Sequence, residues 1–174
     1  FKHEGENPTA SFKDRGMTVA MTAANMLGAT RVACASTGNT SASLAAYAAR
    51  AGKEALVFVP AGKISAGKMA QTLAYGARVL KVRGDFDAAM ALVQQAAATL
   101  GIYLLNSVNP FRIEGQKTIA WELLQDLAWD APDWIALPAG NLGNTSAVGK
   151  ALIEAYTAGW ITRIPRILSV QAHG

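Results

Sequence analysis

The chain is poor in the residues from which disulfide scaffolds, metal centres and catalytic triads are built. It has one cysteine, Cys34, and two histidines, His3 and His173, so neither a disulfide framework nor a zinc site finds ligands at usable spacing. The same scarcity removes the base of a Ser/His/Asp triad. Cys34 falls inside an expected strand, where packing is its ordinary role, and a lone thiol suits a reducing, cytoplasmic compartment. No apolar run approaches the ~20 residues of a membrane span, because Gly, Pro or a charge interrupts each one. Lys and Arg number 16 against 12 Asp and Glu, a net +4, but the cations are scattered, which disfavours nucleic acid and suits small anionic ligands. There is no G-x-G-x-x-G, so a dinucleotide site lacks its fingerprint. Phe1-Lys2-His3-Glu4 has no signal-peptide character, and both ends read as cut edges.

What is present is 51% hydrophobic residues, many of them alanine, with 16 glycines over 174 residues: a globular α/β composition with room for one domain or two small lobes. Short β-rich runs alternate with stretches of helical period. The expected strands are Val32–Ala35, Ala55–Val59, Arg78–Val82, Tyr103–Leu105, Trp134–Leu137 and Ile167–Val170. The expected helices are Phe12–Leu27, Ser41–Arg50, Ala66–Tyr75, Asp85–Leu100, Glu114–Leu127 and Thr145–Ala158. Alternation of this kind requires parallel sheets with flanking helices and right-handed crossovers. Gly28, Gly52, Gly76, Gly101 and Gly159 each follow a helical stretch, where a left-handed cap is wanted. Ser11-Phe12-Lys13-Asp14 has the spacing of a capping box, and Asp126–Asp133 is the best passage between two lobes.

One pentapeptide occurs twice, as Gly38-Asn39-Thr40-Ser41-Ala42 and Gly143-Asn144-Thr145-Ser146-Ala147, each between an expected strand and helix. A glycine turn feeding a helix N-terminus, with about +0.5 of an elementary charge, makes a cup for phosphate or carboxylate. Ordinary capping by Asn, Thr and Ser is the alternative. Gly140-Asn141-Leu142-Gly143-Asn144 offers more backbone amides than a cap needs. A third polar cluster, Asn106–Arg112, follows a strand, at the end where open α/β sheets bind ligands, and Arg112 could fork onto an anion. Lys13 starts its helix beside Arg15, a setting that favours the neutral, nucleophilic amine. Gly62–Lys68 fits part of a Walker A loop, but Met69 stands where a hydroxyl should meet Mg²⁺.

Four stretches together resemble threonine synthase, one of the fold-type II (tryptophan synthase β-like) enzymes that use pyridoxal 5′-phosphate. They are Asn7–Gly16, Ser36–Thr40, Asn106–Arg112 with Glu114–Thr118, and Pro138–Asn144, in that order along the whole chain. The resemblance implies that Lys13 joins the cofactor covalently and later moves protons, and that Asn39 faces its ring. Gly140, Asn141, Leu142, Gly143 and Asn144 would cradle the cofactor phosphate. Thr37 would receive the substrate carboxylate, and Thr40, Ser107, Arg112 and Asn141 the substrate phosphate. The implied reaction converts O-phospho-L-homoserine and water to L-threonine and phosphate, which accounts for three anion sites in one chain. It further implies a smaller lobe over 30–117, a larger lobe from 1–29 with 118–174, and a homodimer of the full-length enzyme. No metal, membrane or nucleic acid enters the reading.

Two departures accompany the resemblance. The family usually has glycine where Ala10 stands, a change tolerated if φ there stays negative. Family chains also extend beyond both ends of this one, and their C-terminal portion supplies the Ser or Thr that contacts the pyridine nitrogen. An isolated piece of this length would bind cofactor poorly or lack activity, and its open sheet edges would favour association. The rival readings are another fold-type II enzyme, such as a serine/threonine dehydratase, and a noncatalytic phosphate- or nucleotide-binding fragment using Gly62–Lys68.

Overall fold

The computed structural model describes residues 1–62 and 66–172. The element order is α1 (Lys13–Met26), β1 (Arg31–Ala35), α2 (Asn39–Arg50), β2 (Glu54–Pro60), α3 (Ala66–Ala74), β3 (Arg78–Val82), α4 (Phe86–Leu100) and β4 (Tyr103–Leu104). It continues with α5 (Pro110–Gln116), α6 (Thr118–Asp126), β5 (Trp134–Pro138), α7 (Gly143–Thr157) and β6 (Arg166–Val170). By their contacts the residues form two compact units, Phe1–Lys2 with Ile113–Gly174, and His3–Arg112.

The unit His3–Arg112 is built on a parallel sheet of order β3-β2-β1-β4. Side chains on β1 alternate between two cores, as the period of two demands. Val32 and Cys34 point into a cluster with Val57 and Val59, roofed by Met17, Ala20, Met21 and Ala24 of α1 and Leu44, Ala45 and Ala48 of α2. Ala33 and Ala35 point the other way, with Phe58, onto Ala89 and Val93 of α4. The central strands β1 and β2 are covered on both faces and carry apolar residues in consecutive positions, and the alanines let the helices sit close. Leu44 is fully buried, so Leu44→Ala is expected to cost about 2–5 kcal/mol of stability. The apolar stripe of α1 packs this helix on the four-stranded sheet.

The other unit holds the parallel pair β5–β6 under α6 and α7. Leu124, Leu152, Ala151 and Ala155 form its dry centre. Trp121, Trp129 and Trp160 meet edge-on at 4.9 to 6.1 Å beside it, the arrangement that ring quadrupoles favour. Asp126–Asp133 lies inside this unit, with Ala128 and Trp129 at φ 50° and 65°.

Three local expectations need correction. The single helix Glu114–Leu127 is two helices, α5 and α6, broken at Lys117. α5 begins earlier because Asn109 Oδ1 accepts the Phe111 N–H and Pro110 takes the first helical position, where a missing N–H costs nothing. Second, Ser11 and Asp14 do not form a capping box: Ser11 Oγ accepts from Lys13 N at 3.3 Å, but the Asp14 carboxyl turns to Thr9. Third, Ala10 has φ 58°, in the left-handed region that costs an L-residue about 1–2 kcal/mol, so glycine would be the relaxed residue there. The loop Gly62–Lys68 falls partly, and His173 wholly, outside the described residues. Lys68 itself lies in α3, where its Nζ donates to the Thr9 carbonyl at 3.1 Å. Among the described residues no helix is long and apolar enough to cross a membrane, and no group of three metal-ligating side chains occurs.

Candidate functional site

Within His3–Arg112, β1 and β4 run parallel, so the segments after them leave the sheet at the same end. The sheet is finished there by a side chain. Asn106 pairs with Ala35 like a strand residue, its Oδ1 accepting from Ala35 N at 2.9 Å and its Nδ2 donating to Ala35 O at 3.0 Å. Asn109 Nδ2 likewise donates to Leu104 O at 2.9 Å. The two asparagines are thus spent on backbone, which leaves Ser107, exposed, and Arg112, buried, as the cluster's free chemistry.

Arg112 is 1% exposed, its Nη1 donates to the Leu105 carbonyl at 2.7 Å, and its Nε is buried without a partner. A buried guanidinium with an idle donor is costly unless something anionic completes it. Burial lowers its pKa from the ordinary value. Lys13 feels the same environment: burial, then the Arg112 charge, brings its pKa down to about 8. Its Nζ sits 4.3 Å from the Phe12 ring centre. Burial, partly offset by Arg112, pushes the Cys34 thiol up to about 12, where it is no nucleophile at neutral pH.

The first pentapeptide starts α2 at Asn39, after Gly38. Gly38 N–H donates to Ser36 Oγ at 3.2 Å and Ser41 Oγ donates back to Gly38 O at 2.7 Å. No side chain caps the helix; Asn39 is exposed, and Thr37 and Thr40 are half-buried.

In the other unit the second pentapeptide starts α7 at Gly143, directly after Leu142 in the left-handed conformation (φ 60°). Gly143 N–H donates to Asn141 Oδ1 at 3.2 Å, and no side chain caps α7. A Cβ built on Gly140 would meet nothing within 4 Å. One built on Gly143 would lie 3.3 Å from Asn141 Oδ1 and 4.0 Å from Gln116 Oε1. The Oε1 of Gln116, a residue 3% exposed, and Asn144 Oδ1 are buried and unpaired. Gln116 lies in the Glu114–Thr118 stretch that carries the resemblance, but no role is given to it there. Lys117 bridges Glu114 (2.5 Å) and Glu154 (2.9 Å), and Lys150 contacts both carboxylates, anchoring α7 through its middle and later turns. Hydrogen bonds from Lys117 and Lys150 respectively hold the Glu114 and Glu154 carboxyls below their ordinary pKa.

A pyridoxal phosphate group needs an amine whose neutral form is within easy reach of physiological pH and a phosphate cradle of backbone amides. The Lys13 amine and the uncapped, glycine-flanked start of α7 have those two properties, so the residues present fit the group.

Comparison with known proteins gives the class. The chain belongs to the family of pyridoxal-phosphate dependent enzymes, whose family model matches residues 1–174. Within it, the chain is 56% identical to the threonine synthase of Methanocaldococcus jannaschii over 173 residues, which is 99% of this chain and 43% of that protein. It is 53% identical to that of Mycobacterium tuberculosis over 174 residues, covering 99% and 48%. The chain therefore spans about half the length of the curated relatives it matches. Two solved structures share the fold. Threonine deaminase isoform 2 of Solanum lycopersicum has a TM-score of 0.81 at 22% identity, with 99% of this chain and 48% of that one covered. Serine racemase of Dictyostelium discoideum has 0.80 at 24%, covering 98% and 53%.

Proposed function

We propose that this chain carries the lysine and anion-binding parts of a threonine synthase, which converts O-phospho-L-homoserine and water to L-threonine and phosphate. The observation that carries the reading is a lowered lysine amine next to a buried arginine with an idle donor, since a phosphorylated amino acid supplies the anion that Arg112 lacks. The identity of about half the residues with threonine synthases supports the choice within the family.

When bound, pyridoxal phosphate supplies an electron sink for carbanions at Cα and Cβ of the substrate. The chain supplies attachment, orientation and charge. Lys13 Nζ anchors the cofactor and, with its pKa lowered to about 8, carries a proton to and from the substrate carbons. Asn39 faces the cofactor ring, and the backbone of Gly140, Asn141, Leu142, Gly143 and Asn144 takes the cofactor phosphate. Thr37 takes the substrate carboxylate, while Thr40, Ser107, Arg112 and Asn141 hold the substrate phosphate and the leaving group it becomes. The lobes 30–117 and 1–29 with 118–174, a homodimer and a cytoplasmic location belong to the same proposal for the longer protein.

The test is a substrate comparison on the full-length protein loaded with pyridoxal phosphate. Release of phosphate and threonine from O-phospho-L-homoserine, abolished by Arg112→Leu, is the expected result. Equal or faster turnover of unphosphorylated serine or threonine to an oxo acid would overturn it in favour of a dehydratase.

A further inference from the structure

Asp14 directly follows Lys13, yet its side chain belongs to a different structure. It is 1% exposed and accepts three hydrogen bonds: from Thr9 N–H at 2.7 Å, Thr9 Oγ1 at 2.7 Å and Ser43 Oγ at 2.5 Å. Thr9 and Ser43 are themselves fully buried, so each donor needs an acceptor inside the protein. A carboxyl, with about four lone-pair sites, satisfies all three where an amide or hydroxyl could not.

The clasp holds what would otherwise move. Between Thr9 and Lys13 lies Ala10, held at φ 58°, a conformation that persists only where surrounding contacts over-determine it. Side-chain capping adds little at the start of α1: Phe12 provides none, and Ser11 Oγ to Lys13 N is a long 3.3 Å, while Ala10 N–H to Asn7 O at 2.7 Å and Lys68 Nζ to Thr9 O at 3.1 Å hold the turn's backbone from outside the helix. Ser43 lies on the first turns of α2, the helix that begins at Asn39. One carboxyl thus joins the turn before Lys13, the helix that starts with Lys13, and the helix behind the Asn39 loop.

We propose that Asp14 is a positioning residue for Lys13: by clasping Thr9 and Ser43 it keeps the lysine amine withdrawn from water and turned to the end where Arg112 sits. The proposal rests on the reading of Lys13 as the reactive amine. Other charged or titratable groups around this elbow are Arg112 from α5, Cys34 from β1, Tyr47 from α2, Lys68 from α3, and the Arg15–Glu4 pair.

The test reads the Lys13 amine without cofactor. Its reactivity toward acetic anhydride is followed against pH by peptide mass in the wild-type chain, Thr9→Val, Thr9→Ser and Ser43→Ala, with Tm measured alongside. The wild-type midpoint is expected near 8, and Thr9→Val and Ser43→Ala should move it up toward the ordinary 10.5, because a loosened elbow lets water reach the amine. Thr9→Ser, which keeps the hydroxyl, should restore the wild-type midpoint. If both deletions lower Tm and leave the midpoint in place, Asp14 is a structural clasp only and the proposal falls. Should Thr9→Val not fold, Ser43→Ala decides alone. Pyridoxal phosphate attachment is scored separately: a shifted midpoint with no attachment at Lys13 sustains the positioning role and overturns the cofactor reading.

Discussion

The two copies of Gly-Asn-Thr-Ser-Ala are identical in sequence and unlike in structure. In the first, Ser36 and Ser41 close hydrogen bonds around Gly38, and Ser41 is fully buried. In the second, the equivalent Ser146 is exposed, Thr145 instead meets Ser169 Oγ at 2.8 Å on β6, and Asn144 Oδ1 is buried without a partner. What precedes the pentapeptide makes the difference. Ser36-Thr37 supplies a hydroxyl to the turn, whereas Asn141-Leu142 forces a left-handed residue at the helix start. Five residues suffice to start a helix after a strand. Their neighbours decide whether the start is self-satisfied or left open to a ligand.

Parallel substitutions break this comparison most sharply. Gly143→Ala crowds Asn141 Oδ1 at 3.3 Å and is expected to weaken pyridoxal phosphate binding about tenfold, a loss of about 1.4 kcal/mol, whereas Gly38→Ala meets nothing within 4 Å and should change it far less. Equal losses in a fluorescence titration would mean that the two cups do the same job. Gln116→Met should raise the melting temperature of the cofactor-free chain, by about 1 kcal/mol of stability, since it removes a buried unpaired acceptor. It should also weaken phosphate binding; a loss of stability instead would show that Oε1 is satisfied in solution. Ala10→Gly and Leu142→Gly should each stabilise by about 0.5–1 kcal/mol in urea unfolding, by releasing a left-handed L-residue.

A further expected effect is on pH dependence. The unfolded chain keeps the Lys13 proton up to about 10.5, the folded chain only to about 8. Between those values the unfolded state binds more protons, so stability rises with pH across the window, and below about 8 this group contributes no slope. Lys13→Met should flatten that rise in Tm relative to wild type; an identical profile would place the lysine in water.

The strand and helix alternation was most legible at β1 and β2, where both faces are buried, which writes continuous apolar runs between helical periods. The helix-ending glycines adopt positive φ as expected, since few other residues do so cheaply. The division at Lys117 was not legible: Glu114–Leu127 keeps one helical period through the break, and the signal lay outside it in Asn109-Pro110. The reach of Asp14 back to Thr9 was hidden for a similar reason. Ser11 and Asp14 have capping-box spacing, and only the three-dimensional turn at Ala10 brings Thr9 closer. The roles given to Thr37, Thr40 and Ser107 rest on the resemblance, because half-buried or exposed hydroxyls carry no local signature.

The most direct measurement is an absorption titration of the chain with pyridoxal 5′-phosphate, followed by borohydride reduction and peptide mass mapping, with Lys13→Ala as control. The account predicts a visible band, lost in the variant, and a reduced adduct on the peptide containing Lys13. An adduct spread over surface lysines, or none on Lys13 in a demonstrably folded chain, would contradict it.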